Sequence, residues 1–324
     1  MMTLSKIAKE AHVSVSTASK AFSGSPEVSE ETRELVFQVA KAHGCFKKFF
    51  NAKYPKLVIA VIAPEFSSLY YTRYLAMIQQ SLPNCELCVS TSNFSGACEK
   101  TLTDYYYKHS NVDGIILIDP AAEIPQNIEV PVAVLRGHKQ NGTSLGGYPS
   151  VYIDYREAME NALRYLQEKG VSSVGFLGEA RTGGKEQLFR STMTRLGIPL
   201  AESSIVHSPM RFEEGGYQGM ELLLQQGKPP RALLCAYDNM AIGAMKCLTD
   251  RGYRIPEDVA ILGMDNLPEA RFLTPPLSSI SSVPEVRCRM VADTILKQIN
   301  GEPVESQIAV KAQFHLRRSF CIDK

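Results

Sequence analysis

Residues 4–20 read LSKIAKEAHVSVSTASK, and the apolar positions of this stretch recur with the spacing of a helix face. Thr3 is suited to cap the first helix, which places four apolar residues on one side: Leu4, Ile7, Ala8 and Ala11. Ser14 is suited to cap a second helix, whose inward side chains are Ala18, Ala21 and Phe22. Two short helices joined by a tight turn predict a helix-turn-helix unit.

A third helix is expected to begin at Ser29, after the break at residues 24–26. Glu30 and Glu31 suit its first turn because they oppose the helix dipole. Gly44 is a suitable stop. The predicted buried stripe consists of Leu35, Val36, Val39 and Ala40. These patterns together predict a small all-α head over residues 1–46.

The second helix is the candidate recognition helix, because its outward face is small and polar: Val15, Ser16, Ser19 and Lys20. Ser16 and Lys20 can hydrogen-bond base edges, and Val15 can touch a thymine methyl. Ser14 and Thr17 can bond phosphates. Periodicity alone favours the alternative, in which this is the solvated face of an ordinary three-helix domain.

Charge is unevenly distributed along the 324 residues. Residues 1–54 hold eight Lys/Arg and five Asp/Glu, a net charge of +3, whereas the whole chain carries +1. A basic head is compatible with a nucleic-acid partner. No apolar run approaches the ~20 residues of a membrane span, and the amino terminus lacks the apolar core of a signal peptide, so a cytoplasmic location is expected.

Residues 57–324 show a different rhythm, in which short apolar runs alternate with amphipathic stretches. Strands are expected at 57–63, 86–90, 114–118, 130–135, 174–177, 232–236 and 259–264. Helices are expected at 70–81, 99–109, 156–169, 185–196, 214–226, 238–251 and 284–299. This rhythm predicts an α/β fold with parallel sheets, arranged as one barrel or as two doubly wound lobes.

The glycine-rich stretch at residues 142–149 favours two lobes with a cleft between them. The expected division is a hinge over 47–56 and a sensor over 57–324. Lobe 1 would comprise about 57–149 and 283–306, and lobe 2 about 150–282 and 307–324.

Motifs that would indicate catalysis or a metal site are missing from the sequence. Cys85 and Cys88 form a C-x-x-C, but in a strand they would point to opposite faces, so buried thiols are the expectation. Residues 178–185 resemble a phosphate-binding loop, but Glu186 replaces the hydroxyl that binds Mg²⁺. We therefore expect no enzyme, no cofactor and no metal, although fold alone does not separate an enzyme from a binding protein.

The head resembles the lactose-repressor/galactose-repressor (LacI/GalR) family. The similarity runs from residues 4–20 through residues 24–33, GSPEVSEETR. It implies that Val15, Ser16 and Lys20 read bases. His12 and Lys20 depart from the pattern, since the family usually has Gly and Arg at these positions.

The resemblance continues along the sensor, which implies a periplasmic-binding-protein-like domain with an effector between its lobes. It rests on residues 112–117 (VDGIIL), 238–244 (DNMAIGA), 255–266 (IPEDVAILGMDN), 275–280 (PPLSSI) and 317–319 (RRS), the last of which matches the final strand. By resemblance we expect a homodimer that binds a pseudo-palindromic DNA operator, with repression as the default. A plain solute-binding protein is the second class considered.

The hinge between the head and the sensor departs most from the family pattern. The family usually has a hinge helix that ends in a Leu, and this Leu wedges into the minor groove. Here residues 47–54 read KKFFNAKY, and Tyr54 stands at the position of that Leu. A Tyr wedge and a hinge without a regular helix both fit this stretch.

The resemblance also implies an effector pocket at Tyr70, Tyr71, Arg136, Lys185, Arg211, Tyr237 and Asp265. Asp265 would bind a sugar hydroxyl or else cap the next loop, and the tyrosine pair would stack on a ring or pack in the core. Lys185 and Tyr237 replace the usual Arg and Asn. The added cations favour an acidic or phosphorylated effector, unless Lys185 and Arg211 are solvated surface charges.

Overall fold

The computed structural model divides into two compact units, an amino-terminal unit that ends at Val58 and a large unit that follows it. Asn84–Glu86 groups with the first unit. The residues that the structure describes are 2–49, 56–92, 112–120, 124, 128, 130–137 and 147–322. The predicted helix at 99–109 and the predicted wedge residue Tyr54 lie outside them.

The head consists of short helices whose ends follow the predicted caps. They are α1 (Leu4–Glu10), α2 (Val15–Phe22), α3 (Glu30–Ala42) and α4 (Phe46–Phe49). Ser14 Oγ accepts a hydrogen bond from the Thr17 amide at 3.0 Å, and Ser29 Oγ accepts one from the Thr32 amide at 3.3 Å. Gly44 ends α3 with a φ of +61°, which costs glycine little because it has no Cβ.

The head core gathers the apolar faces of its helices around Phe22, which stacks on Phe37 at 5.6 Å. Val36 and Ala40 are fully buried, as predicted. Leu35 was expected in the same stripe, but it is 46% exposed. The buried stripe includes Phe37 instead. Leu35 and Phe37 each lie about 100° from Val36 around the helix, in opposite directions, so the core receives one of them and not the other.

The chain continues into a parallel sheet. Its elements, in order, are β1 (Leu57–Ala63), α5 (Leu69–Ser81), β2 (Cys85–Thr91), β3 (Gly114–Ile118), β4 (Val132–Arg136) and β5 (Ser150–Asp154). The interior strands β3 and β4 are buried throughout, because helices cover both faces of such a sheet. Cys85 and Cys88 lie on β2 at the sheet edge, where Cys85 is half-buried and Cys88 is exposed, so the expectation of two buried thiols is wrong.

A second sheet follows. Its elements are α6 (Arg156–Glu168), β6 (Val174–Gly178), α7 (Gly183–Leu196), β7 (Ile205–His207), α8 (Phe212–Gln225), β8 (Ala232–Cys235), α9 (Asp238–Asp250), β9 (Ala260–Asp265) and β10 (Ser278–Ser281). The chain then forms α10 (Pro284–Ile299), β11 (Gln307–Lys311) and β12 (Gln313–His315).

The two sheets confirm the predicted α/β fold with two doubly wound lobes rather than a barrel. The strand order is β11-β5-β4-β3-β1-β2 in the first sheet and β12-β10-β9-β8-β6-β7 in the second. In the second sheet β12 runs antiparallel to β10. Helices α8 and α9 cross closely, since a Cβ at Gly243 would lie 1.9 Å from the carbonyl oxygen of Glu213.

The crossings between the lobes differ from the predicted boundaries at 149/150 and 306/307. Strands β5 and β11 pair in the first sheet, so the chain leaves it after Asp154 and again after Lys311. Polar residues interrupt both strands, and β11 is largely exposed, so neither shows the apolar run that reveals β3. The predicted final strand at 317–319 is also wrong, because Arg318–Phe320 is a 3-10 turn beyond β12.

Within the described ranges, no helix is long and apolar enough to cross a bilayer. The same ranges contain no group of three or more His, Cys, Asp or Glu arranged to hold a metal ion.

Candidate functional site

The outward face of α2 is the candidate DNA-reading surface. Ser16, Ser19 and Lys20 are exposed, and Val15 is 47% exposed. The opposite face is fully buried through Ala18, Ala21 and Phe22. The helix therefore rests on the core through two alanines and Phe22 and presents mostly short polar side chains to solvent, a profile that fits a major groove.

The amino end of α2 is ordered by its own cap. The Ser14 and Thr17 hydroxyls lie 2.8 Å apart, and Ser14 Oγ accepts the Thr17 amide. At the other end, Lys20 forms an exposed salt bridge with Glu27. Glu27 therefore competes with any other acceptor for the Lys20 ammonium group.

The turn before α2 explains one departure from the family pattern. His12 has a φ of +52°, in the left-handed region that favours glycine. Histidine is tolerated there more readily than branched residues. The backbone of this turn is therefore the one that a glycine would adopt.

The large unit brings a second set of polar residues together where strands end. Asp119 follows β3, Arg136 ends β4, Tyr155 follows β5 and Asp265 ends β9. Lys185 from α7 and Arg287 from α10 complete this group. We call these six residues, Asp119, Arg136, Tyr155, Lys185, Asp265 and Arg287, the cleft cluster. Carboxyl ends of parallel strands are where α/β folds bind ligands.

Lys185 joins elements of the second lobe. Its Nζ donates to the carbonyl oxygen of Ala236 at 2.7 Å and lies 3.5 Å from Asp265 Oδ1. It also lies 5.6 Å from the centre of the Tyr155 ring. Its side chain is only 19% exposed, so the alternative of a solvated surface charge is wrong.

Asp265 is buried, with a φ of +102° at the end of β9. Burial raises the pKa of its carboxyl, and Lys185 opposes this. The next loop is held by a different residue, since Asp238 Oδ2 accepts the Leu267 amide at 2.6 Å. These contacts leave Asp265 directed at Lys185 and not engaged as the cap of that loop.

Arg211 and Glu65 form an ion pair that links the two lobes. Both terminal nitrogens of Arg211 donate to the Glu65 carboxylate, at 2.7 and 2.9 Å. Burial would raise the pKa of Glu65, but the bonds from Arg211 bring it below its usual value. The pair connects the loop after β1 to the start of α8, so Arg211 is not a solvated surface charge either.

Arg287 is a fully buried cation that organises the first lobe. Its guanidinium donates to the hydroxyls of Tyr74 and Tyr70 and to the carbonyl oxygen of Arg136. It also lies 5.1 Å from the centre of the Tyr74 ring. One side chain thereby connects α10, α5 and the end of β4.

The aromatic residues of the predicted pocket border the same region. Tyr70 and Tyr71 meet edge to face at 5.1 Å, at the start of α5. Tyr237 precedes α9, and its hydroxyl accepts the Phe212 amide at 3.0 Å. Burial, together with nearby Glu179, raises the pKa of Tyr237 to about 12.

All seven predicted effector residues thus lie at or beside the carboxyl ends of the two sheets. Sequence reasoning missed Asp119, Tyr155, Glu65 and Arg287. Asp119 directly follows a predicted strand, as Asp265 does, so the same rule would have found it. Arg287 interrupts the buried stripe of α10, which is also a usable signal. Tyr155 could not be found, because β5 was not recognised as a strand.

Comparisons with known proteins agree with this architecture. Residues 3–45 match the family described as bacterial regulatory proteins, lacI family, and residues 163–320 match the periplasmic binding protein-like domain. Catabolite control protein A of Priestia megaterium is 27% identical over 95% of each chain. The repressor CytR of Escherichia coli K12 is 26% identical, covering 94% of this chain and 92% of CytR.

Solved structures show the same fold. The lac repressor dimer bound to operator and the anti-inducer ONPF superposes with a TM-score of 0.73 at 20% identity, covering 98% of both chains. The CelR–cellobiose complex gives 0.68 at 23%, covering 98% of this chain and all of CelR. A helix-turn-helix head and a two-lobed sensor define a ligand-responsive regulator. The chain therefore combines a lacI-family helix-turn-helix domain with a periplasmic-binding-protein-like domain, and its relatives are DNA-binding transcription regulators of the LacI/GalR family.

Proposed function

We propose that the protein is a repressor that binds a pseudo-palindromic operator as a homodimer. A small-molecule effector, a sugar or sugar derivative held between the lobes, would control this binding. The proposed parts are a head at residues 1–46, a hinge at 47–56 and a sensor beyond it. The protein would act in the cytoplasm, where its DNA lies.

The exposed face of α2 is the observation that carries the DNA-binding proposal. Val15, Ser16 and Lys20 would contact bases, while Ser14, Thr17 and Ser19 would contact phosphates. Tyr54 is proposed as a minor-groove contact. Two symmetric heads would read two half-sites about one helical turn apart, or a multiple of it.

The cleft cluster supports the effector proposal. Asp119 and Asp265 offer carboxylate oxygens to hydroxyl groups, and Tyr70 and Tyr71 offer aromatic surface to a ring. Relatives include a ribose operon repressor of Haemophilus influenzae, and CelR was solved with cellobiose. A ligand would change DNA binding by the head only if the open and closed arrangements of the lobes bind that ligand with different affinity.

Footprinting of the full chain on DNA upstream of its own gene tests this proposal. We expect protection of two symmetric half-sites, and a gel shift that a cleft ligand strengthens or releases. Uniform binding to unrelated DNA would contradict it. Turnover of a sugar without any operator binding would favour an enzyme, and ligand binding without operator binding would favour a solute-binding protein.

A further inference from the structure

The three cations that the sequence assigns to the pocket are not equivalent in the structure. Lys185 bonds Ala236 and lies against Asp265, and Arg211 is held by both oxygens of Glu65. A ligand anion would have to share these two cations with the protein groups that they already bind. Two of the three cations therefore already have carboxylate partners.

Arg136 differs from both. It ends β4 with 8% of its surface exposed, and no hydrogen bond or salt bridge to its guanidinium is found among the described residues. Burial lowers its pKa, and only the field of Asp119 opposes that effect. A guanidinium that is largely buried and makes no bond to the described residues has N–H groups left to donate to a bound anion.

Asp119, the carboxylate whose charge acts on Arg136, is already engaged elsewhere. Its Oδ1 accepts the amide of Gly137, and its backbone amide donates to Leu135 at 2.8 Å. The fields of Arg287 and Lys185 also act on it. Asp119 therefore shares its charge among several groups instead of pairing with Arg136.

The position of Arg136 is set by its neighbour. Arg287 donates to the Arg136 carbonyl oxygen and is itself fixed by Tyr74. This bond holds the backbone at the end of β4. The Arg136 side chain is thus anchored at its base and unbonded at its tip.

In the cleft, positively charged side chains outnumber carboxylates by one. On the rim, Glu65 and Glu179 balance Arg181 and Arg211, whose fields act on them. In the cleft cluster, three cations face the carboxylates Asp119 and Asp265. Burial raises the pKa of both carboxyls, so they neutralise at most two of the three positive charges, and Asp238, whose pKa burial raises to about 8, adds little negative charge at neutral pH.

We propose that the effector carries a single carboxylate, which Arg136 binds through a two-pronged hydrogen bond. The effector class is a carboxylated sugar, such as an aldonic or uronic acid, and this inference rests on the proposed function above. The planar guanidinium fork matches a carboxylate. A phosphate monoester, with a charge of about −1.5 to −2, carries more negative charge than Arg136 alone balances.

Calorimetric titration of the full chain tests this with five probes: gluconate, glucuronate, galacturonate, glucose and glucose 6-phosphate. We expect at least one acid to bind the wild type more tightly than glucose and glucose 6-phosphate do. Arg136→Gln should weaken that binding about 10- to 100-fold, and Arg136→Lys about tenfold because the fork is lost. Arg254→Gln, which removes an exposed arginine paired with Asp258, is the matched control.

The melting temperature without ligand separates binding from folding. Arg136→Gln should leave it unchanged or raise it, since the substitution removes a buried, unbonded charge. A lower melting temperature with equal loss of glucose and acid binding would show a structural role and overturn the proposal. So would the absence of any acid binding at millimolar concentration, full acid affinity in Arg136→Gln, or tighter binding of glucose or its 6-phosphate.

Operator binding in the same preparations keeps the two proposals distinct. Wild-type protein that protects its operator but ignores the acids overturns the carboxylate assignment and leaves the regulator standing. Wild-type protein that protects no operator contradicts the proposed function itself.

Discussion

The outward face of α2 and the cleft cluster are both polar surfaces, but they are built in opposite ways. The α2 face lies within six consecutive residues, and each side chain is exposed with few neighbours. In the cleft, bonded partners lie far apart in sequence: 80 residues for Lys185 and Asp265, 146 for Arg211 and Glu65, and 217 for Arg287 and Tyr70. Substitutions should therefore act locally in α2 and cooperatively in the cleft.

Loss of Arg287 should have the largest effect. Arg287→Met keeps much of the volume but leaves the Arg136 carbonyl and the Tyr70 hydroxyl without their donor. We expect the free energy of unfolding to fall by about 3 kcal/mol, as it does when one member of a buried polar network is removed. Urea unfolding followed by circular dichroism measures this.

Arg254→Met is the control for Arg287→Met, because it breaks an exposed pair with Asp258. Such a pair contributes at most about 1 kcal/mol. Equal losses in the two variants would mean that the cleft network is no more coupled than the surface.

The pH dependence of stability should reveal the buried carboxyls of the cleft. Burial, with Asp265 nearby, raises the pKa of Asp238 from 3.8 to about 8. Between these values the folded chain holds a proton that the unfolded chain has lost. Stability from this group therefore falls as pH rises, by up to about 1.4 kcal/mol per pH unit.

Asp238→Asn should flatten this profile, since an amide can still accept the Leu267 amide and donate to Ser279. Between pH 5 and pH 7 we expect the wild type to lose about 2 kcal/mol relative to the variant. Thermal unfolding at several pH values is the measurement. Parallel profiles for the two proteins would show that Asp238 ionises normally in the fold.

Removal of the proposed base contacts should weaken operator binding without altering ligand binding. Lys20→Ala combined with Ser16→Ala should lower operator affinity at least about tenfold. Lys9→Ala removes another exposed charge, from α1, and should weaken binding to operator and to scrambled DNA alike. Gel shifts on both DNAs give the ratio of operator affinity to affinity for scrambled DNA. If this ratio is unchanged in the double variant, Lys20 and Ser16 do not read bases.

The smallest effect is expected at Glu27. Glu27→Gln releases Lys20 from its exposed salt bridge, so operator affinity should rise about two- to threefold. The gain should vanish when Lys20 is also alanine, which a double-mutant cycle would show. A gain that persists without Lys20 would come from the lost negative charge alone.

Local patterns predicted the head well, because caps and apolar spacing act within one helix. Thr3, Ser14 and Ser29 cap as expected. The predicted burial of Leu35 was wrong, because apolar spacing does not say which of two adjacent residues faces the core. In the large unit, strands with buried apolar runs were found, whereas β5, β7, β10, β11 and β12 were missed because polar residues interrupt each of these short strands.

The sequence by itself determined the helix-turn-helix head, the α/β rhythm and the family, because these follow from short-range spacing and ordered motifs. It also placed seven residues at the cleft. Only the tertiary structure decided that Lys185 and Arg211 are paired while Arg136 is not. Pairing depends on where the chain crosses between lobes, which brings together residues that no local pattern connects.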